Sequence, residues 1–104
     1  MVRFGQLGEL KPDKIAEYKE LHAAVWPEVL ATIKACRLAN YSIYLMGHQV
    51  VAYFEYMGND YEADMKKMAD DPATQAWWTH TKPCFVGHAQ RIYYRDMEEI
   101  FHQP

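Results

Sequence analysis

The chain has 104 residues, half of them apolar and about a quarter charged, with a net charge of −3. That length points to one domain over residues 1–104, whose modest core is the kind often completed by oligomerisation. Acids and bases are mixed along the chain, which gives no basic block for nucleic acid and no acidic tail, and no apolar run nears the ~20 residues of a membrane helix.

Residues 2–9 read as a first strand. The start, Met1-Val2-Arg3-Phe4-Gly5-Gln6, lacks the long apolar centre of a secretory signal. Lys11-Pro12-Asp13 opens a helix, because proline suits an early helical position. From Ile15 to Cys36 the spacing is helical: Ile15, Tyr18, His22, Val25, Trp26, Val29, Leu30 and Ile33 share one stripe at about 100° per residue. Pro27 must interrupt it, since its ring clashes with the carbonyl four residues back. The break is expected near Ala24-Val25-Trp26, with a second helix from Pro27.

Residues 40–46 alternate as a strand, with Tyr41, Ile43 and Leu45 opposite Ser42, Tyr44 and Met46. Gly47-His48 suits a two-residue hairpin turn, and residues 50–57 form the returning strand. Gly58-Asn59-Asp60 turns the chain and caps a helix over 61–69. Asp71-Pro72 caps another that runs to about His80, where Lys82-Pro83 stops it. Residues 84–95 read as loop and 96–102 as a final strand. Cys36 and Cys84 have no metal or redox spacing and read as free thiols in a reducing cytoplasm, with a disulfide between them left open.

This order, β-α-β-β-α-β, is the ferredoxin-like arrangement of an α+β protein, an antiparallel sheet with helices on one face. A sheet wetted on its other face should alternate apolar and polar residues. Here both alternations carry large apolar residues, Val51 and Tyr53 against Val50, Phe54 and Tyr56 in the returning strand. The second face is therefore expected to be covered by a twin subunit or to line a pocket.

His22 lies inside the apolar stripe of its helix, and Tyr18 sits one turn earlier on the same face. A histidine titrates near ~6.5 and can carry a proton at neutral pH. The bland reading is a core histidine satisfied by a backbone carbonyl. Trp77-Trp78 point about 100° apart on a helix, so one can enter the core while the other lines a cleft. Aromatic faces pack on the C–H surfaces of sugars, though two tryptophans can equally be core. Tyr41 and Tyr44 lie on opposite strand faces, which lets one hydroxyl face a pocket. His80-x3-Cys84-x3-His88 has ligand spacing for a helix, but Pro83 and Gly87 oppose a continuous one, so no metal site is expected. No glycine-rich phosphate loop is present.

Three segments together resemble the L-rhamnose mutarotase family: Tyr18-x-x-x-His22-x-x-x-Trp26-Pro27-Glu28, then Asn40-Tyr41-Ser42-Ile43-Tyr44-Leu45, then Trp77-Trp78. The ending, Met97-Glu98-Glu99-Ile100-Phe101-His102, is similar to the family's closing strand. The resemblance covers most of the chain. It implies a ferredoxin-like subunit that dimerises through its sheet into an α+β barrel. It also implies a cytoplasmic, cofactor-free isomerase that interconverts the α and β anomers of L-rhamnose. In that reading His22 is the catalytic acid, and Tyr18, Tyr41, Trp77 and Trp78 contact the sugar. Residues 79–95 carry no usable signature of the family. Two other classes fit the same plan: a cofactor-free monooxygenase of the dimeric barrel type, and a non-catalytic sugar-binding module.

Overall fold

A computed structural model describes all residues from Met1 to Pro104. Strand β1 spans Val2–Glu9, β2 Leu38–Met46, β3 Gln49–Tyr56 and β4 Arg95–Asp96. Helices α1 (Ile15–Ala23) and α2 (Pro27–Ala35) follow β1, and α3 (Tyr61–Asp70) and α4 (Pro72–Thr81) follow β3. The four strands form one antiparallel sheet in the order β2-β3-β1-β4, the ferredoxin-like α+β arrangement expected from the sequence.

Local chemistry sets the boundaries. Helix α1 ends at Ala23, four residues before Pro27, and Pro27 becomes the first residue of α2. One apolar stripe is thereby split into two helices at an angle, and His22 stands in the last turn of the first. Asp60 caps α3 by accepting from the Ala63 N–H at 3.2 Å, and Asp71 caps α4 by accepting from the Thr74 N–H at 2.9 Å. Gly47 takes φ +62° in the β2–β3 turn, where a side chain would be strained. The register slips between Ala39 and Ser42, with Asn40 at φ +50°, so the edge strand β2 bends there.

The core lies on the helical side of the sheet. One cluster joins Leu10, Tyr18, Val50, Cys84 and Phe85, and another joins Leu38, Phe54 and Tyr56. Phe4 stacks between Phe54 and Tyr61, at centroid distances of 5.0 and 4.7 Å. On the opposite face, Tyr44 is 67% and Met46 79% exposed.

Two segments depart from the sequence reading. Residues 84–95 are not plain loop: Lys82–Cys84 and Val86–Gln90 form 3-10 turns, and Phe85 bridges to Leu10 beside β1. Gly8 allows this approach, since a Cβ there would stand 2.7 Å from the Phe85 ring and 2.9 Å from the Tyr93 carbonyl. The final strand is two residues long instead of spanning 96–102. The Met97 N–H still donates to the Gly5 carbonyl at 2.7 Å, but beyond it the tail is held by the Arg3–Glu99 ion pair at 2.9 Å. Ile100 and Phe101 lie outside the sheet, and both side chains are mostly exposed.

Candidate functional site

The bent edge of β2 and helices α1, α2 and α4 leave a cleft between sheet and helices. One cavity of about 240 Å³ is lined by Tyr18, His22, Tyr41, Ile43, Trp77, Trp78, Thr81, Lys82, Phe85, Tyr93 and Tyr94. An adjoining cavity of about 360 Å³ shares His22, Tyr41, Ile43, Trp77 and Trp78 and extends toward Val29 and Ile33 of α2. The sizes suit a small-molecule site, and so does an apolar lining with few polar groups. All five residues singled out from the sequence, Tyr18, His22, Tyr41, Trp77 and Trp78, meet around this cleft.

His22 reaches the cleft from the last turn of α1. Its Nδ1–H donates to the Tyr18 carbonyl at 2.8 Å, which leaves Nε2 as the nitrogen available to a ligand. Burial pushes the His22 pKa below its ordinary value, and the carbonyl bond offsets only part of this. The resting imidazole is therefore neutral and basic at Nε2. The Trp77 ring meets it edge-on at 5.5 Å, and the Tyr18 ring lies 4.3 Å away.

The two tryptophans divide as adjacent helical residues must. Trp77 is 6% exposed, packs edge-on against Trp26 at 5.2 Å and walls the cleft from within. Trp78 is half-buried, with the Lys82 ammonium 4.0 Å from its ring centre. Tyr41 turns into the cleft and stacks on Phe54 at 5.2 Å, whereas Tyr44 faces away.

Tyr93 and Tyr94 are the additions that sequence reasoning missed, together with Lys82, Thr81, Ile43 and Phe85. Tyr94 Oη lies 2.8 Å from Tyr18 Oη. A paired Tyr-Tyr in a segment of unassigned structure was the available signal, but nothing local says that it folds back onto α1. Burial raises the Tyr18 phenol to about 12, so it stays protonated.

His80, Cys84 and His88 do not share a helix, because α4 ends at Thr81. Cys84 is fully buried, its Sγ 3.4 Å from Glu17 Oε2 and 3.5 Å from the His80 carbonyl. Burial and the neighbouring Glu17 carboxylate raise its pKa to about 11, which keeps it a thiol and a poor nucleophile. No helix is long and apolar enough to cross a membrane.

A sequence model of the L-rhamnose mutarotase family matches residues 3–103. An L-rhamnose mutarotase of Oceanobacillus iheyensis is 34% identical over 103 residues, covering 98% of each chain. One from Listeria monocytogenes serotype 4b is 31% identical with the same coverage. The crystal structure of an L-rhamnose mutarotase from Formosa agariphila superimposes over the whole of both chains with a TM-score of 0.80 at 20% identity. Tetracenomycin F2 cyclase from Streptomyces glaucescens shares the fold at a TM-score of 0.66 and 11% identity. On the family match across nearly its full length, this chain belongs to the L-rhamnose mutarotase family.

Proposed function

We propose that this chain, acting as one domain, interconverts the α and β anomers of L-rhamnose, with His22 as the proton carrier. The observation that carries the chemistry is the imidazole tied through Nδ1 to the Tyr18 carbonyl, with Nε2 left available in an aromatic cleft. Family membership supports the substrate.

Mutarotation moves a proton from the anomeric hydroxyl to the ring oxygen and breaks the bond between C1 and that oxygen. Neutral His22 Nε2 takes the proton from the anomeric hydroxyl. The electron pair left on that oxygen forms the C1 carbonyl, and the C1–O5 pair moves onto O5. The His22 imidazolium, itself a strong acid in this buried setting, gives its proton to O5. Rotation about C1–C2 turns the other carbonyl face toward the hydroxyl, and the same transfers in reverse close the ring. The catalytic acid is thus the imidazolium generated within the cycle. Such positioned proton transfer contributes typically ~10²–10⁴-fold. These steps call for no electron transfer, so the proposal includes no cofactor.

Tyr18 and Tyr41 hold sugar hydroxyls in this reading. Trp77 and Trp78 cover an apolar face of the ring or its 6-methyl group. L-Fucose, L-lyxose and L-mannose are candidates for slower turnover, because ring opening does not involve every hydroxyl. The decisive experiment is anomer exchange on L-rhamnose followed by magnetisation-transfer NMR. Saturable binding without faster exchange would identify a binding module instead.

We read the working form as a homodimer joined through the open sheet face. The accessible surface is 7220 Å², against about 6,100 Å² for a monomeric protein of this mass. Tyr44 and Met46 stand exposed on that face, a pattern that a second copy would bury. A cytoplasmic setting suits the two free, buried thiols.

A further inference from the structure

The Tyr18 hydroxyl has one protein partner, the Tyr94 hydroxyl at 2.8 Å. Tyr94 comes from the segment after the Val86–Gln90 turn, which Gly8 lets close against β1. Phe85 stands edge-on to both rings, at 5.5 Å from Tyr18 and 5.2 Å from Tyr94, so the pair sits in apolar surroundings at the cleft wall. Two phenols carry two O–H protons. One is spent between the two oxygens, and one remains to point elsewhere. The choice of donor decides which tyrosine offers its proton to the cleft.

We propose that Tyr94 is a positioning residue for the anomer exchange: its O–H donates to Tyr18 Oη and thereby turns the Tyr18 O–H toward the sugar and strengthens it as a donor. An oxygen that accepts one hydrogen bond polarises its own O–H, and this cooperative gain is larger where water is excluded. The Tyr18 ring lies 4.3 Å from the His22 ring, so Tyr18 is the phenol of the pair that stands beside the proton carrier, and Tyr94 as donor leaves the Tyr18 proton for that side of the cleft. The strengthened Tyr18 O–H then meets the negative charge that builds on the anomeric oxygen once His22 has taken its proton. The inference rests on the mutarotase reading and names a residue that makes the site work.

Four proteins test it: the wild type, Tyr94→Phe, Tyr18→Phe and the double variant, each assayed for L-rhamnose exchange and for thermal unfolding. If the wild type fails to accelerate exchange, the mutarotase reading itself falls. With an active wild type, Tyr94→Phe is expected to lower kcat roughly tenfold, the order of one polarised hydrogen bond, with KM within about twofold and the melting temperature little changed. The double variant should match Tyr18→Phe, since Tyr94 acts through Tyr18. A ring-fluorinated tyrosine at position 94, a better donor, should keep kcat at or above the wild-type value. Full activity in Tyr94→Phe, losses that multiply in the double variant, or a fluorinated enzyme as slow as Tyr94→Phe would each overturn the proposal.

Discussion

His22 Nδ1 and the carbonyl oxygen of Tyr18 lie 2.8 Å apart, so a single turn of α1 fixes the tautomer of the imidazole at the cleft. The bland and the functional readings of this histidine thus hold at once: one nitrogen is satisfied by the backbone, and the other is left for a ligand. A pH dependence follows. Burial lowers the His22 pKa below its ordinary 6.5, so the neutral base survives as pH falls through that value. Enzyme-dependent exchange should stay level through pH 6.5 and decline only below it, once the buffer-catalysed rate is subtracted. The same shift contributes stability that is present above 6.5 and lost as pH falls through the lower, folded value. An acid limb starting above pH 6.5 would contradict a neutral resting His22.

The adjacent tryptophans should separate stability from binding. Trp77 is buried against Trp26 and His22, and Trp77→Ala is expected to destabilise the fold by about 3–5 kcal/mol. Trp78 is half-exposed, and Trp78→Ala should instead raise KM for L-rhamnose several-fold with a small effect on unfolding. Thermal denaturation alongside exchange kinetics checks both. Equal melting temperatures for the two variants would refute the division.

Lys82 sets its ammonium 4.0 Å from the centre of the Trp78 ring and 4.9 Å from that of Tyr93. Such contacts contribute about 0.5–1 kcal/mol at exposed sites and more when desolvated. Lys82→Met keeps the stem and removes the charge. It should loosen Trp78 and raise KM about two- to fivefold, the fold-change that energy corresponds to, with kcat nearly unchanged. Steady-state kinetics decide it, and an unchanged KM would mean that the cation does not order the indole.

On the open sheet face, Met46→Lys together with Tyr44→Lys would bury two cations if a second copy sits there. Sedimentation should show a dimer for the wild type and a monomer for this variant. A monomeric wild type would refute the assembly.

Most of the fold was legible because its signals are local. Pro27 splits the first helical run, Asp60 and Asp71 cap the next two helices, and Gly47 marks the hairpin. The cleft was legible from the Tyr18–His22 spacing and the tryptophan pair. Residues 84–95 were not, because Gly8, Phe85 and Tyr94 meet only through long-range packing that no periodicity announces. The closing segment misled for a related reason. Met97, Ile100 and Phe101 have the composition of a strand, but a strand exists only where a neighbour supplies the ladder, and here that ends with the Gly5 carbonyl.

The central claim is that His22 carries the proton of ring opening, and magnetisation-transfer NMR on equilibrated L-rhamnose tests it most directly. The wild type should accelerate exchange between the α and β anomers. His22→Ala and His22→Gln should remain folded yet lose nearly all of that acceleration, since neither side chain transfers a proton at neutral pH. A folded His22→Ala protein with wild-type exchange rates would contradict the account.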